Sequence, residues 1–97
     1  MPKITIVANI TAKTGKIDLM KSELLKLVES TRTQDEGCIS YDLHQDNENP
    51  AEFMVFEIWA SEDLLQKHAD SEHFKAFMGA SEEMVELFTV NKMTQIA

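Results

Sequence analysis

One cysteine, two prolines, three glycines and one tryptophan among 97 residues leave this chain short of the residues that staple, kink or punctuate a fold. With Cys38 alone, no intramolecular disulfide can form and a cysteine-based metal cluster is excluded. Positive charge is scarce as well. Nine Lys+Arg stand against 17 Asp+Glu, a net charge of −8, which argues against nucleic acid or an anionic membrane as partner because both would repel it. The longest unbroken apolar run is Phe53-Met54-Val55-Phe56, far short of the ~20 residues of a membrane span. The start, Met1-Pro2-Lys3-Ile4-Thr5, alternates apolar and polar residues instead of building a signal-peptide core, so a cytoplasmic protein is expected. There is no repeat, low-complexity tract or linker.

A hydrophobic share of 43% and a charged share of 27% are those of a folded chain, and residues 1–97 read as a single domain. Ile4 to Thr11 alternates around Ile4, Ile6, Ala8 and Ile10 and is rich in β-branched residues, a strand pattern. After the turn at Thr14-Gly15, apolar residues at Ile17, Met20, Leu24, Leu27 and Val28 have helical spacing. Gly37 ends that helix or begins the next strand, Cys38 to Gln45, with Ile39, Tyr41 and Leu43 on one face. Asp46 to Pro50 is a polar turn. Phe53 to Ala60 is apolar on both faces apart from Glu57, which predicts a central strand.

Ser61-Glu62-Asp63 caps a helix that breaks at Asp70-Ser71 and restarts towards Phe74, Phe77 and Met78. Ser81 is expected to open a last helical stretch through Leu87, with Glu82-Glu83 as its first-turn charges, followed by a final strand over Thr89 to Ile96. The order β-α-β-β-α-β predicts a ferredoxin-like α+β fold, a four-stranded antiparallel sheet with strands one and three central and the helices on one face. A chain this small buries only roughly 60–65% of its unfolded surface. A second copy is the simplest cover for the bare sheet face, so a homodimer is expected, and a charge at Ile6 or Ile39 should disrupt it.

Several side chains sit uneasily in that pattern. Asn9 lies in an apolar strand, where it either satisfies its amide on neighbouring backbone or aims a donor into a pocket beneath the helices. His68 and His73 stand five apart across the helix break and miss the i,i+4 metal-ligand spacing, with no third His or Cys nearby, so no metal site is read. They are helix-surface groups or proton acceptors facing the pocket. His44 reads as surface. Glu57 faces the side of Val55 and Trp59 and needs either an ion pair or a catalytic use. Trp59 is a core aromatic or a pocket wall, and Phe53, Phe56, Phe74 and Phe77 pack the core or line a flat apolar cavity.

These residues carry a resemblance. Ile6-Val7-Ala8-Asn9-Ile10, the Gly15-Lys16 turn, Glu36 to Leu43, Glu57-Ile58-Trp59 and the run from Leu64 through His68 to Ser71-Glu72-His73-Phe74 resemble the antibiotic biosynthesis monooxygenase family. The likeness is strongest to its small quinol monooxygenases, which share the His-x4-His-Phe element. It implies a dimeric ferredoxin-like α/β barrel. It also implies oxidation of quinols or related polycyclic phenols by O2, without metal, flavin or haem as cofactor. On that likeness Asn9 would hydrogen-bond the substrate oxygen or a peroxide, Trp59 would position the ring, and His68 or His73 would be the base. Tyr41, Phe53, Glu57, Phe74 and Phe77 would shape the substrate site.

Haem-degrading relatives would need a Trp where His68 stands and a His where Met78 stands, so haem degradation is disfavoured. Two other readings remain open at this point. One is an isomerase or processing enzyme for a small hydroxyketone signal, for which only Lys67 and Lys75 flank the histidines as possible anion binders. The other is a dimeric binding or stress-response module without catalysis.

Overall fold

The computed structural model describes residues 2–97. Its elements run β1 (Ile4–Ala12), α1 (Ile17–Gln34), β2 (Cys38–Gln45), β3 (Glu52–Trp59), α2 (Glu62–Ala69), α3 (Glu72–Ser81) and β4 (Val85–Met93). The four strands form one antiparallel sheet in the order β2-β3-β1-β4. This is the expected ferredoxin-like α+β arrangement, with the second helical region split in two. No described helix is long and apolar enough to cross a membrane.

Alternation decides what each strand buries. Ile6, Ala8, Ile10 and Ala12 of β1 and Phe53, Val55, Glu57 and Trp59 of β3 face the helices and are buried. From α1, Met20, Leu24, Leu27 and Val28 close over them at the spacing of one helical face. Each such side chain contributes about 1.5–3 kcal/mol by leaving water. The opposite sheet face carries Val7, Met54, Phe56 and Ile58, all half-buried, beside exposed Leu87 and Met93.

Two local devices set the helices. Gly37 has φ +83°, and a Cβ there would lie 2.8 Å from the Leu64 Cβ, so glycine lets α2 pass close to the start of β2. Ser71 handles the helix break with one hydroxyl, which donates to the His68 carbonyl (2.6 Å) and accepts the Phe74 N–H (3.2 Å). It thereby closes α2 and caps α3.

The sequence expectation fails after α3, in the bounds of β4, in β2 and at Ile6. Residues 81–87 do not form a further helix: Ser81 ends α3, its hydroxyl bonded to the Phe77 carbonyl at 2.7 Å, and β4 begins at Val85. Its strand runs to Met93 rather than from Thr89 to Ile96, because the free edge of β1 extends to Ala12 and pairs with Val85. Glu82 and Glu83 therefore stand at the carbonyl end of α3, where acidic charge does not favour helix.

In β2, a bulge between Cys38 and Ser40 makes Ile39 the extra residue and reverses the side-chain parity. Ile39 is exposed and does not share a face with buried Tyr41. Ile6, named with it as a partner-facing position, packs under the helices instead.

Candidate functional site

Between the sheet and the helices lies a cavity of about 320 Å³. Ile6, Ala8 and Ile10 form its floor, and Tyr41, Val55 and Glu57 form one wall. Leu65, His68, Phe74 and Phe77 come from α2 and α3, while Phe88, Val90 and Lys92 of β4 edge the mouth. Leu24 and Leu27 of α1 reach it from one side and the two short helices, joined at the Ser71 break, from the other. At the mouth Lys92 pairs with Glu62, an exposed ion pair that joins β4 to the start of α2.

The polar equipment of this apolar chamber is small. Glu57 is 5% exposed. Its Oε1 accepts the indole N–H of Trp59 at 2.9 Å. Burial pushes its carboxyl up to about 7, and the Trp59 hydrogen bond opposes that rise. Within the described residues of one chain Glu57 has no cationic partner, so an ion pair to a neighbouring strand does not explain it. Tyr41, buried and beside Glu57, has its hydroxyl pushed far up by burial and then by that carboxylate, so it stays protonated. The Cys38 thiol is likewise pushed up, to about 11, by burial and then by the Glu57 and Asp35 charges.

His68 is the second polar group. Its ring is held among Trp59 (4.8 Å between centroids), Phe74 (5.0 Å) and Tyr41 (5.4 Å). Burial lowers its pKa, which favours the neutral imidazole, while Asp35 works in the opposite direction. Nδ1 lies 2.5 Å from Asp35 Oδ2, and the same oxygen lies 2.8 Å from His73 Nε2. Asp35 is the residue just past α1, so three elements converge on one carboxylate. These three side chains open on the far side into a second, outer basin of about 530 Å³, rimmed by Glu36, Lys67, Asp70 and Glu72. His68 borders both spaces and forms the partition between them.

Of the residues singled out from sequence, Tyr41, Glu57, His68, Phe74 and Phe77 meet around the inner cavity. Five do not line it. Phe56 is half-buried on the open sheet face, opposite Val7, and neither packs the core nor lines the cavity. Asn9 is exposed on the open sheet face, opposite Met54 and Thr89, and not in a pocket beneath the helices, because strand parity puts it out of phase with Ala8 and Ile10. Phe53 is buried farther along β3, opposite Ile10. Trp59 is wholly buried behind Glu57 and His68, so it touches the site through those two residues. His73 faces the outer basin.

Asp35 was not singled out at all. The only local signal was an acidic residue at a helix end, and the partner histidines lie 33 and 38 residues further on.

The antibiotic biosynthesis monooxygenase family model matches residues 3–80. An uncharacterised Synechocystis protein is 27% identical over 82 residues, which is 84% of this chain but 55% of that protein, so the chain spans about half its length. The presumed monooxygenase YcnE of Bacillus subtilis is 29% identical over 82 residues, covering 84% of this chain and 85% of YcnE. Among solved structures, PA3566 from Pseudomonas aeruginosa superposes with a TM-score of 0.94 at 31% identity, covering 100% of this chain and 97% of that one.

Proposed function

This chain belongs to the antibiotic biosynthesis monooxygenase family, and on that footing we propose that it oxidises a quinol or related aromatic hydroxyl compound with O2, drawing the electrons from the substrate itself. The observation that carries the reading is the inner cavity, apolar and aromatic-lined, with a buried carboxyl, a carboxylate-backed imidazole and the Tyr41 side chain inside and Glu62, Gln66 and Lys92 as its other polar lining. Pockets of this kind take flat apolar ligands with a few polar points.

The chemistry follows from the placement of those groups. Asp35 accepts the Nδ1–H of His68, which leaves the Nε2 lone pair as the base. His68 removes the phenolic proton, and the substrate anion passes one electron to O2. Superoxide and the substrate radical join at a ring carbon as a hydroperoxide, which loses water. One oxygen atom stays on the ring as carbonyl or hydroxyl and the other leaves as H2O, so a quinol plus O2 gives a hydroxyquinone plus water. Glu57, held by Trp59 and half-protonated near neutrality, hydrogen-bonds the second oxygen of the ring. The apolar walls keep water from the anion and the radical pair.

A small phosphorylated ketone would fit poorly, since the chamber holds a carboxyl and its Lys92 is engaged with Glu62. A homodimer belongs to the same reading, with the second copy covering Val7, Met54, Phe56 and Ile58 and enclosing Asn9.

The deciding experiment is O2 uptake with a panel of reduced quinols, autoxidation subtracted. Uptake above background that collapses in His68→Ala supports the reading. No uptake with any quinol, or uptake unaffected by His68→Ala, overturns it.

A further inference from the structure

Asp35, His68 and His73 offer three ligand atoms within 4.8 Å of one another, brought together by the end of α1, the last turn of α2 and the first turn of α3. We infer that these three side chains form a binding site for one divalent cation of the Zn²⁺, Ni²⁺ or Co²⁺ type, entered from the outer basin.

The absence of a third ligand is what removed a metal site from the sequence reading, and the fold supplies that ligand. Asp35 is 10% exposed at its side chain, with His68 at 4% and His73 at 14%. The only side chains bonded to this nearly buried carboxylate among the described residues are the two imidazoles; no Lys or Arg neutralises it. A charge so placed calls for a counter-ion. The basin beside it has room for water ligands and carries Glu36, Asp70 and Glu72 against one lysine, Lys67, and the whole chain is at −8, a balance that concentrates cations there.

The donor set selects the metal. Two imidazole nitrogens and one carboxylate oxygen suit borderline cations and give Mg²⁺ or Ca²⁺ little, since those prefer oxygen shells. With metal–ligand bonds of about 2.0–2.2 Å, donor atoms around a tetrahedral ion sit roughly 3.3 Å apart. Asp35 must therefore withdraw by less than about 1 Å from its hydrogen bonds at 2.5 and 2.8 Å, and the two imidazole nitrogens, which with it lie within 4.8 Å, close on each other around the ion. It lies beyond the helix in extended backbone, φ −93° and ψ 112°, where its side chain turns without unwinding α1.

Binding requires the lone pairs of His68 Nδ1 and His73 Nε2, so both rings take the other tautomer. On the function proposed above, His68 Nε2 then carries a proton and is no longer a base, which makes the ion an inhibitor.

The test does not depend on activity. Metal-freed protein is titrated with Zn²⁺ by calorimetry, and the imidazole nitrogens are followed by ¹⁵N NMR on the unmodified chain. The expected result is one ion per chain, with shifts at His68 Nδ1 and His73 Nε2 and none at His44, the only other histidine. His73→Gln and Asp35→Asn should each weaken binding by about 10-fold or more, while His44→Ala and Cys38→Ser leave it unchanged. No saturable binding, or binding whose shifts fall on His44, overturns the site even if quinol oxidation is observed. Should the variants not fold, the NMR result on the native chain decides.

Discussion

Asp35 Oδ2 and His68 Nδ1 meet at 2.5 Å across 33 residues of chain, tying the end of α1 to the last turn of α2. The contact places a carboxylate behind the one imidazole that borders the inner cavity. In Asp35→Asn the amide keeps the shape but can present its NH2 to Nδ1, which turns the lone pair away from the cavity. The expected outcome is a fall in kcat of about 10²-fold or more with KM little changed. Steady-state O2 uptake measures it, and an equal loss in kcat and stability would show the contact to be structural only.

Glu57 makes folding depend on pH. Its carboxyl rises from 4.5 to about 7 on folding, chiefly through burial. Below pH 4.5 both folded and unfolded chains hold the proton, and the shift costs nothing. Between there and about pH 7 the folded chain binds more protons than the unfolded one, so stability falls as pH rises. Glu57→Gln keeps an acceptor for the Trp59 indole and removes the titration. Denaturant unfolding should find it more stable than the native chain by about 2–3 kcal/mol at pH 8, with the difference fading towards pH 4.5. An equal difference at both pH values would contradict the assignment.

Ala8 lies on the cavity floor, between Val55 on β3 and Val90 on β4. Ala8→Leu points new volume into the empty space rather than into packed core, so thermal stability should change by less than about 1.5 kcal/mol. The KM for the best quinol should rise about 10-fold, because the added side chain occupies the substrate's place. An unchanged KM would move the substrate elsewhere.

Phe56 is half-buried on the open sheet face, among Val7, Met54 and Ile58. If a second copy covers this face, the native chain elutes as a dimer and Phe56→Asp as a monomer, since an unpaired carboxylate in that interface costs several kcal/mol. Light scattering reads both states. A monomeric native chain would refute the homodimer.

The sheet was legible in the sequence because its signal is local. Alternation in β1, helical spacing in α1 and the Asp70-Ser71 break are each read within a few residues, and the apolar excess on both faces of Phe53 to Ala60 marked the central strand. The errors came where pairing overrides local pattern. The bulge at Ile39 turned that residue off the face it was expected to share with Tyr41 and Leu43, and the free edge of β1 drew Val85 to Leu87 out of an expected helix. Glu57, His68, Phe74, Phe77 and Tyr41 were visible as residues out of keeping with their surroundings or suited to an apolar wall.

What the chain's own pattern determined, then, is β1, α1, β3 and the split second helical region, with the inward faces of β1 and α1, since hydrophobic periodicity acts through near neighbours. Only the tertiary structure decided that Asp35 meets both histidines, that Asn9 turns away from them, and that His68 divides an apolar chamber from an acidic basin. Those relations depend on strand register, one bulge and the angle between two short helices, and no periodicity along the chain encodes where such distant segments come to rest.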